Sequence, residues 1–167
     1  MSITQTLNRH DRTGLVLNMG LAIGAAAAVQ AVVLFTGQDA MTGRELRLWF
    51  EPPEWAVTAV WLVLFALMAT ARWMLNEYTI VGVVPARRMT TVLIIASLLC
   101  PLYVPVSGSA IAGFLGNMAT IVIAAVAIGL AWLRSRDAAF LLVPLVLWLS
   151  FATLLIFVQP GQLQPTQ

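Results

Sequence analysis

Long stretches without a charged residue are the feature that most constrains this chain. Forty-five consecutive residues, 89–133, carry no charge, and residues 15–35 form a second uncharged run. A helix needs about 20 apolar residues to cross the roughly 30 Å hydrocarbon core of a bilayer. Only 10% of the 167 residues are charged and 60% are hydrophobic, whereas soluble domains carry about 25% charged residues. The solvent around most of this chain must therefore be lipid.

Charges, prolines and glycines divide the sequence into five predicted spans. Pro101, Pro105 and the segment 107–109 split the longest uncharged run, because proline and glycine end helices and favour turns. Pro53 suits the first helical position of the second span. We therefore predict an all-α integral membrane protein, a single domain over residues 1–167 built as a bundle of five transmembrane helices. The predicted spans are about 15–35, 55–74, 89–106, 110–133 and 138–158. Four spans are the alternative, if the proline-containing third segment is partly re-entrant.

The distribution of arginines predicts how the bundle is oriented. All nine cations are arginines, and the only two on the side of the first loop are Arg44 and Arg47. Cytoplasmic segments carry the excess of basic residues, so we expect the N-terminus in the cytoplasm, the C-terminus outside and, by default, a bacterial inner membrane. Without longer basic runs, nucleic acid is not an expected partner. The seven arginines on the side of the N-terminus are Arg9, Arg12, Arg72, Arg87, Arg88, Arg134 and Arg136.

Conventional catalytic and metal-binding patterns are missing from the sequence. It contains no Ser-His-Asp set, no phosphate-binding glycine loop and no cluster of metal ligands. We expect the single cysteine, Cys100, to be a packing residue and His10 to be solvated rather than a haem ligand. No span interior is predicted to contain an ionisable residue, which argues against a proton-coupled pump. Conventional enzymology is therefore not expected, although an enzymatic role stays open.

Two tryptophans lie unusually deep in predicted spans. Trp61 lies nearly two turns inside the second span with Phe65 on the same face, and Trp148 lies one turn after Pro144 in the fifth span. A buried indole N–H needs a partner or a ligand rather than lipid. Each tryptophan alone is consistent with packing, and Trp55 is consistent with an interfacial aromatic belt. The two deep tryptophans together indicate a shared aromatic cavity.

The second and fifth spans resemble segments of the tryptophan-rich sensory protein family, the TspO/MBR family of translocator proteins and peripheral-type benzodiazepine receptors. The first segment, Trp-x-x-Pro-Pro-x-Trp followed by Trp-x-x-Leu-Phe-x-x-Met, lies here at 49–68. The second, Leu-Val-Pro-x-x-x-Trp-x-x-Phe-Ala-Thr, lies here at 142–153. The third span departs from the family pattern, because Val92, Ala96 and Leu99 stand where the family usually has glutamine, asparagine and tryptophan. The resemblance thus extends over most of a five-span chain.

The resemblance implies a non-covalent pocket for a porphyrin such as protoporphyrin IX or haem. Flat macrocycles stack on aromatic side chains, so we expect a binder, sensor or carrier of a tetrapyrrole with a regulatory role. The alternatives are a non-catalytic accessory or assembly subunit of a larger membrane complex, and a light-dependent porphyrin-degrading protein. Arg44 or Arg47 would meet the ligand's propionates. Carried over residue by residue, the pocket walls would be Trp49, Pro52, Trp61, Phe65, Trp148 and Ala152.

Small residues at four-residue spacing occur on two spans. The first span carries Gly20, Gly24 and Ala28, and the fourth span carries Ala112, Gly116 and Thr120 at the same spacing. Such faces let two helices approach closely. Packing within the bundle is the simpler interpretation of both. Homodimerisation, which the resemblance implies, is the alternative.

Overall fold

In the computed structural model, residues 3–35, 52–77, 82–107 and 110–158 are described. This part of the chain forms helices joined by short turns and contains no strand, which confirms the all-α prediction. The helices are α1 (Ile3–Leu7), α2 (Arg12–Phe35), α3 (Glu54–Met74), α4 (Val83–Ser107), α5 (Ala110–Trp132), α6 (Arg136–Phe140) and α7 (Val143–Val158).

The described helices contain five segments long and apolar enough to cross a membrane, and the five-span architecture is thereby confirmed. The third is one continuous helix, α4, which passes through Pro101 and Pro105, so the re-entrant alternative is wrong. Neighbouring helices can satisfy the carbonyl groups that a proline frees inside a membrane. The fifth segment joins α6 and α7. The segments are Arg12–Val33, Trp55–Met74, Val83–Leu102, Ile111–Trp132 and Arg136–Ile156.

Three of the helices begin at residues that suit a helix start. The Asp11 carboxylate accepts a hydrogen bond of 2.6 Å from the Gly14 N–H at the start of α2. The Ser135 hydroxyl oxygen likewise accepts from the Ala138 N–H at 3.2 Å before α6. Both side chains satisfy N–H groups that have no partner within the helix. Pro53 is the N-cap residue of α3 and has an extended backbone. The helix therefore begins at Glu54 and not at Pro53, which was the predicted first helical position.

The five spans form a closed ring. The first span, α2, packs on α3 and α4, α4 packs on α5, and α5 packs on the fifth span, whose first helix, α6, packs on α3. Leucines and alanines fill the interior, with Leu93, Leu142 and Leu149 at most 1% exposed. Only 22–33% of the residues in each span are buried. Each of the five spans exposes large apolar side chains, as a lipid environment requires.

The two small-residue faces have different surroundings. On α5, Thr120 is buried, and its hydroxyl oxygen lies 3.5 Å from the Cys100 sulfur of α4. That face packs within the bundle as predicted, and Cys100 is the packing residue expected. On α2, Gly20 and Gly24 are exposed, and a Cβ added to either would meet nothing within 4 Å. Among the described residues nothing covers this face, so packing within the bundle is the wrong interpretation of the first motif.

A polar cluster around Arg72 joins three spans at one end of the bundle. Arg72 lies in the last turn of α3, at the end of the second span rather than in its interior. Its guanidinium donates to the hydroxyl of Thr91 on α4 at 2.9 Å and to the side-chain oxygen of Asn18 on α2. A long side chain at a helix end can reach such partners, whereas one at mid-span would meet hydrocarbon.

The same cluster holds the N-terminal segment against the bundle. The Leu7 carbonyl oxygen, at the end of α1, accepts hydrogen bonds from the side chains of Asn18, Arg72 and Asn76 at 2.9, 3.2 and 2.9 Å. His10 is not simply solvated as predicted, because its ring stacks on Trp73 with the ring centroids 4.2 Å apart. The N-terminal segment is therefore fixed by contacts with α2 and α3.

We predict that Asn18→Ala lowers the thermal stability of the protein in detergent. The substitution removes an acceptor of Arg72 and a donor to Leu7, and hydrogen bonds to charged groups contribute about 1.5–3 kcal/mol. Circular dichroism at 222 nm as a function of temperature measures the effect.

Ser150→Ala is the matched control for this prediction. The Ser150 hydroxyl is exposed and donates only to the Val146 carbonyl of its own helix, so the control is expected to unfold within about 0.5 kcal/mol of wild type. Equal unfolding temperatures for Asn18→Ala and Ser150→Ala would contradict a stabilising role for the cluster.

Candidate ligand-binding cleft

The second span, α3, separates two voids that are both bordered by aromatic side chains. One void lies between α3, α2 and α4, and the other lies between α3 and α7. At 3.6 residues per turn, positions 61, 62 and 65 lie on one side of α3, and positions 60, 63 and 67 lie on the other. The rotation of α3 about its own axis therefore decides which aromatic residue borders which void.

The void beside Trp61 is too small for an organic ligand. Trp61 and Phe65 pack together there, with ring centroids 5.9 Å apart and planes tilted by 31°. Phe65 is 3% exposed. The free volume is about 10 Å³, which is roughly the space of one water molecule. Its walls are Ala26, Val29, Gln30, Trp61, Leu62, Phe65, Ser97, Leu98 and Pro101.

The cleft between α3 and α7, which we call the α3/α7 cleft, is much larger. Its free volume is about 570 Å³, within the range of about 300–1,000 Å³ typical of small-molecule sites. Two rim residues, Val63 on α3 and Leu147 on α7, are 57% and 66% exposed, so the cleft opens sideways from the bundle. All its walls are apolar: Ala59, Val60, Val63, Leu64, Leu67, Pro144, Leu147, Trp148 and Phe151.

The break between α6 and α7 sets the position of the aromatic wall. After α6 ends, Leu141 and Leu142 form a turn, and α7 starts at Val143 with Pro144 in its second position. Proline costs little there, because the first N–H groups of a helix have no partner within the helix. Trp148 follows one turn later and packs beside Phe151, with ring centroids 5.8 Å apart. Pro144 thus marks a helix start rather than a bend within a helix.

Some of the predicted site residues come together and others do not. Trp61 and Phe65 are in contact on α3, but Trp148 borders the α3/α7 cleft and neither of the α3 aromatics does. The predicted cavity shared by Trp61 and Trp148 is therefore not formed by the described residues. Leu64 and Met68 of α3 are buried, and Leu64 borders the same cleft as Trp148.

The other predicted wall residues lie away from both voids or outside the described residues. Pro52 is half-buried just before α3, and Ala152 is half-buried one turn after Trp148, but neither borders either of the two voids that the described residues line. Trp49, Arg44 and Arg47 lie outside the described residues. Their predicted roles in ligand binding stay predictions.

The aliphatic walls of the cleft were not identified from the sequence. Val60, Val63 and Leu67 of α3 and Leu147 of α7 face the cleft, yet aliphatic residues occur at most positions of these spans. The one feature of the sequence that could indicate them is the spacing of Val60, Val63 and Leu67, which are three, four and seven positions apart and so share one face of α3. That face becomes meaningful only once the neighbouring helix is known.

The departures from the family pattern in the third span lie mostly outside both voids. Val92 and Leu99 of α4 are 47% and 53% exposed, so they face outward. Ala96 is half-buried and borders neither void. These substitutions therefore leave the α3/α7 cleft unaltered.

Chemically, the described residues offer binding surface rather than reactive groups. Among them, no group of three or more histidine, cysteine, aspartate or glutamate side chains could hold a metal ion. No wall residue of the α3/α7 cleft can donate or accept a proton except through the indole N–H of Trp148. The cleft can exclude water and stack on an apolar ligand, and it can do little else.

Comparison with known proteins agrees with this architecture. No curated protein gave a significant match to the chain. The profile of the TspO/MBR family matches residues 16–159, nearly the whole chain and all five spans. Since the match covers the Trp49–Met68 and 142–153 segments as well as the five-helix bundle, the chain belongs to the TspO/MBR family.

Proposed function

We propose that this protein binds a flat hydrophobic ligand within the membrane, a tetrapyrrole such as protoporphyrin IX or haem, and that binding has a sensory or regulatory role. The α3/α7 cleft is the observation that supports this most strongly. It combines a free volume of about 570 Å³ with walls that are apolar throughout and include two aromatic rings. Membership of the TspO/MBR family supports a membrane binder of porphyrin-like ligands in general.

Trp148 is the residue that would contact the ligand most extensively. It is half-buried and borders the cleft at its α7 side, with Phe151 beside it. Indole faces stack on aromatic macrocycles, and large apolar rings contribute most of the free energy of such contacts. The ligand's propionates would lie outside the cleft, because no cleft wall carries a charge. Arg44 or Arg47 in the first loop remain the proposed partners for them.

We predict that Trp148→Ala weakens protoporphyrin IX binding by about tenfold or more, since it removes the stacking surface and part of the buried apolar area. Trp61→Phe is expected to bind like wild type, because the void beside Trp61 is too small for the ligand. The shift of the porphyrin absorbance band on titration with purified, detergent-solubilised protein measures affinity independently of the tryptophans removed.

The two variants separate the competing accounts. A loss of binding in Trp61→Phe with normal binding in Trp148→Ala would place the ligand on the other side of α3. No absorbance shift in folded wild-type protein would favour an accessory subunit, which should then co-purify with a stoichiometric partner. An absorbing product formed only in light would identify the porphyrin-degrading alternative.

A second role in helix association is favoured by the exposed small-residue face of α2. Gly20, Gly24 and Ala28 form an outward stripe one turn apart, and nothing described in the chain packs on it. Small residues let helix backbones approach closely in lipid, where van der Waals contact drives association. We infer that this face joins two copies of the chain in a homodimer. The same face would serve an accessory subunit packed on a larger complex.

We predict that Gly24→Leu converts the dimer to monomers without unfolding the bundle, because a side chain at this position meets nothing within 4 Å in the monomer. Gly129→Leu on α5 is the matched control, since Gly129 is also exposed with open space around it. Light scattering coupled to size-exclusion chromatography in detergent measures the molar mass. An unchanged mass for Gly24→Leu would contradict the α2 interface, as would a monomeric wild type.

The orientation of the protein is also part of the proposal. Seven arginines lie at the end of the bundle that carries the N-terminus, and the described carboxylates there are Asp11, Glu77 and Asp137. This excess of positive charge supports a cytoplasmic N-terminus and an external C-terminus in a bacterial inner membrane. The α3/α7 cleft would then open into the hydrocarbon between the two surfaces.

A further inference from the structure

The corner between α5 and α6, which we call the α5/α6 corner, exposes aromatic rings at the arginine-rich end of the bundle. Trp132, at the end of α5, and Phe140, at the end of α6, meet edge to face with ring centroids 5.4 Å apart. They are 45% and 58% exposed, and the neighbouring Leu133 is 72% exposed. Exposed aromatic pairs at the end of a span lie at the boundary between headgroups and hydrocarbon.

Two arginines at this corner have no carboxylate partner among the described residues. The Arg136 guanidinium carbon lies 5.5 Å from the centroid of the Trp132 ring, a cation–π arrangement. The Arg134 guanidinium lies against Gly82, where a Cβ would displace it. Both arginines are exposed. Among the described residues, Arg9 forms an ion pair with Asp11, and the His10 imidazole lies 3.9 Å from the Glu77 carboxylate, so neither contact involves the corner.

Asp137, in the first turn of α6, is the one acidic residue at the corner. Among the described residues it forms no ion pair with Arg134 or Arg136. The corner therefore carries two arginines and one carboxylate. The corner keeps a local excess of positive charge next to an exposed apolar surface.

We propose that the α5/α6 corner is a binding site for an anionic phospholipid. The lipid phosphate would accept hydrogen bonds from the guanidinium groups of Arg134 and Arg136, and one acyl chain would lie along Trp132, Leu133 and Phe140. Guanidinium groups match phosphate oxygens with paired N–H donors. Basic residues beside a span attract anionic lipids, and interfacial aromatic rings accommodate the start of the acyl chain.

The combination of charge and apolar surface favours a lipid over a soluble anion. A free phosphate would use the guanidinium groups but leave the exposed faces of Trp132 and Phe140 without a function. A phospholipid uses both at once and is present wherever the protein is embedded. Arg88, by contrast, is an exposed arginine on α4 for which the described residues show no aromatic contact. Arg88 can therefore serve as a control for the positive charge at this end of the bundle.

Native mass spectrometry of the full-length protein tests this proposal. The protein is incubated in detergent with equimolar phosphatidylglycerol and phosphatidylcholine of identical acyl chains, and the bound lipids are counted. Wild type is expected to retain phosphatidylglycerol preferentially. In the double variant Arg134→Gln/Arg136→Gln, we expect the ratio of bound phosphatidylglycerol to bound phosphatidylcholine to fall about fivefold for each arginine removed. The control Arg12→Gln/Arg88→Gln removes equal charge at exposed positions elsewhere and is expected to keep the preference.

A third variant tests the apolar half of the site. Trp132→Ala keeps both arginines, and because the Trp132 side chain is 45% exposed, we expect the bundle to stay folded without it. We expect a partial loss of retained phosphatidylglycerol, which general charge attraction does not explain. The proposal would be overturned if wild type showed no preference for phosphatidylglycerol, or if both double variants lost the preference equally. It would also be overturned if Trp132→Ala retained as much phosphatidylglycerol as wild type.

Discussion

Hydrocarbon offers no hydrogen-bonding partners, and this constraint determines where the polar side chains of this protein lie. Each polar group inside a span must find its partner in the protein itself. Asn117 on α5 donates to the Thr153 hydroxyl on α7 at 3.2 Å, and Ser97 on α4 lies beside the Met68 sulfur on α3. The largest such group, around Arg72, lies at a helix end and joins α2, α3, α4 and the N-terminal segment. Polar contacts thus fix the ring of spans at a few points, and apolar packing fills the rest.

The same constraint gives the α3/α7 cleft its character. At the arginine-rich end, α3 packs on α6, whose Ala138 and Ala139 are fully buried. Farther along, α3 and α7 leave a space walled only by apolar side chains. A cleft of this kind can be occupied by hydrocarbon or by a flat apolar ligand without leaving any polar group unsatisfied. A ligand that enters it exchanges contacts with lipid for contacts with Trp148 and Phe151, so selectivity depends on shape and stacking.

Much of the fold could be predicted from the sequence, because uncharged runs of about 20 residues allow few alternatives. The count of five spans and their approximate limits follow from where charges and prolines lie. The rotation of each helix does not follow, because apolar residues surround most of each span and define no single buried stripe. Trp61 and Trp148 were therefore assigned to one cavity, whereas among the described residues they border two different voids. The hydrogen bonds of Arg72 were not predicted, because its partners Leu7 and Asn18 are more than 50 residues away in the chain.

Photoaffinity labelling tests most directly the central claim, that the ligand occupies the α3/α7 cleft. A porphyrin carrying a photoreactive diazirine is bound to the purified protein, and the complex is irradiated. The labelled peptides are then mapped by mass spectrometry. The account predicts labels on α3 between Val60 and Leu67 together with labels on α7 between Pro144 and Phe151. Labels confined to the walls of the small void, on Ala26–Gln30 of α2 and Ser97–Pro101 of α4, would contradict it.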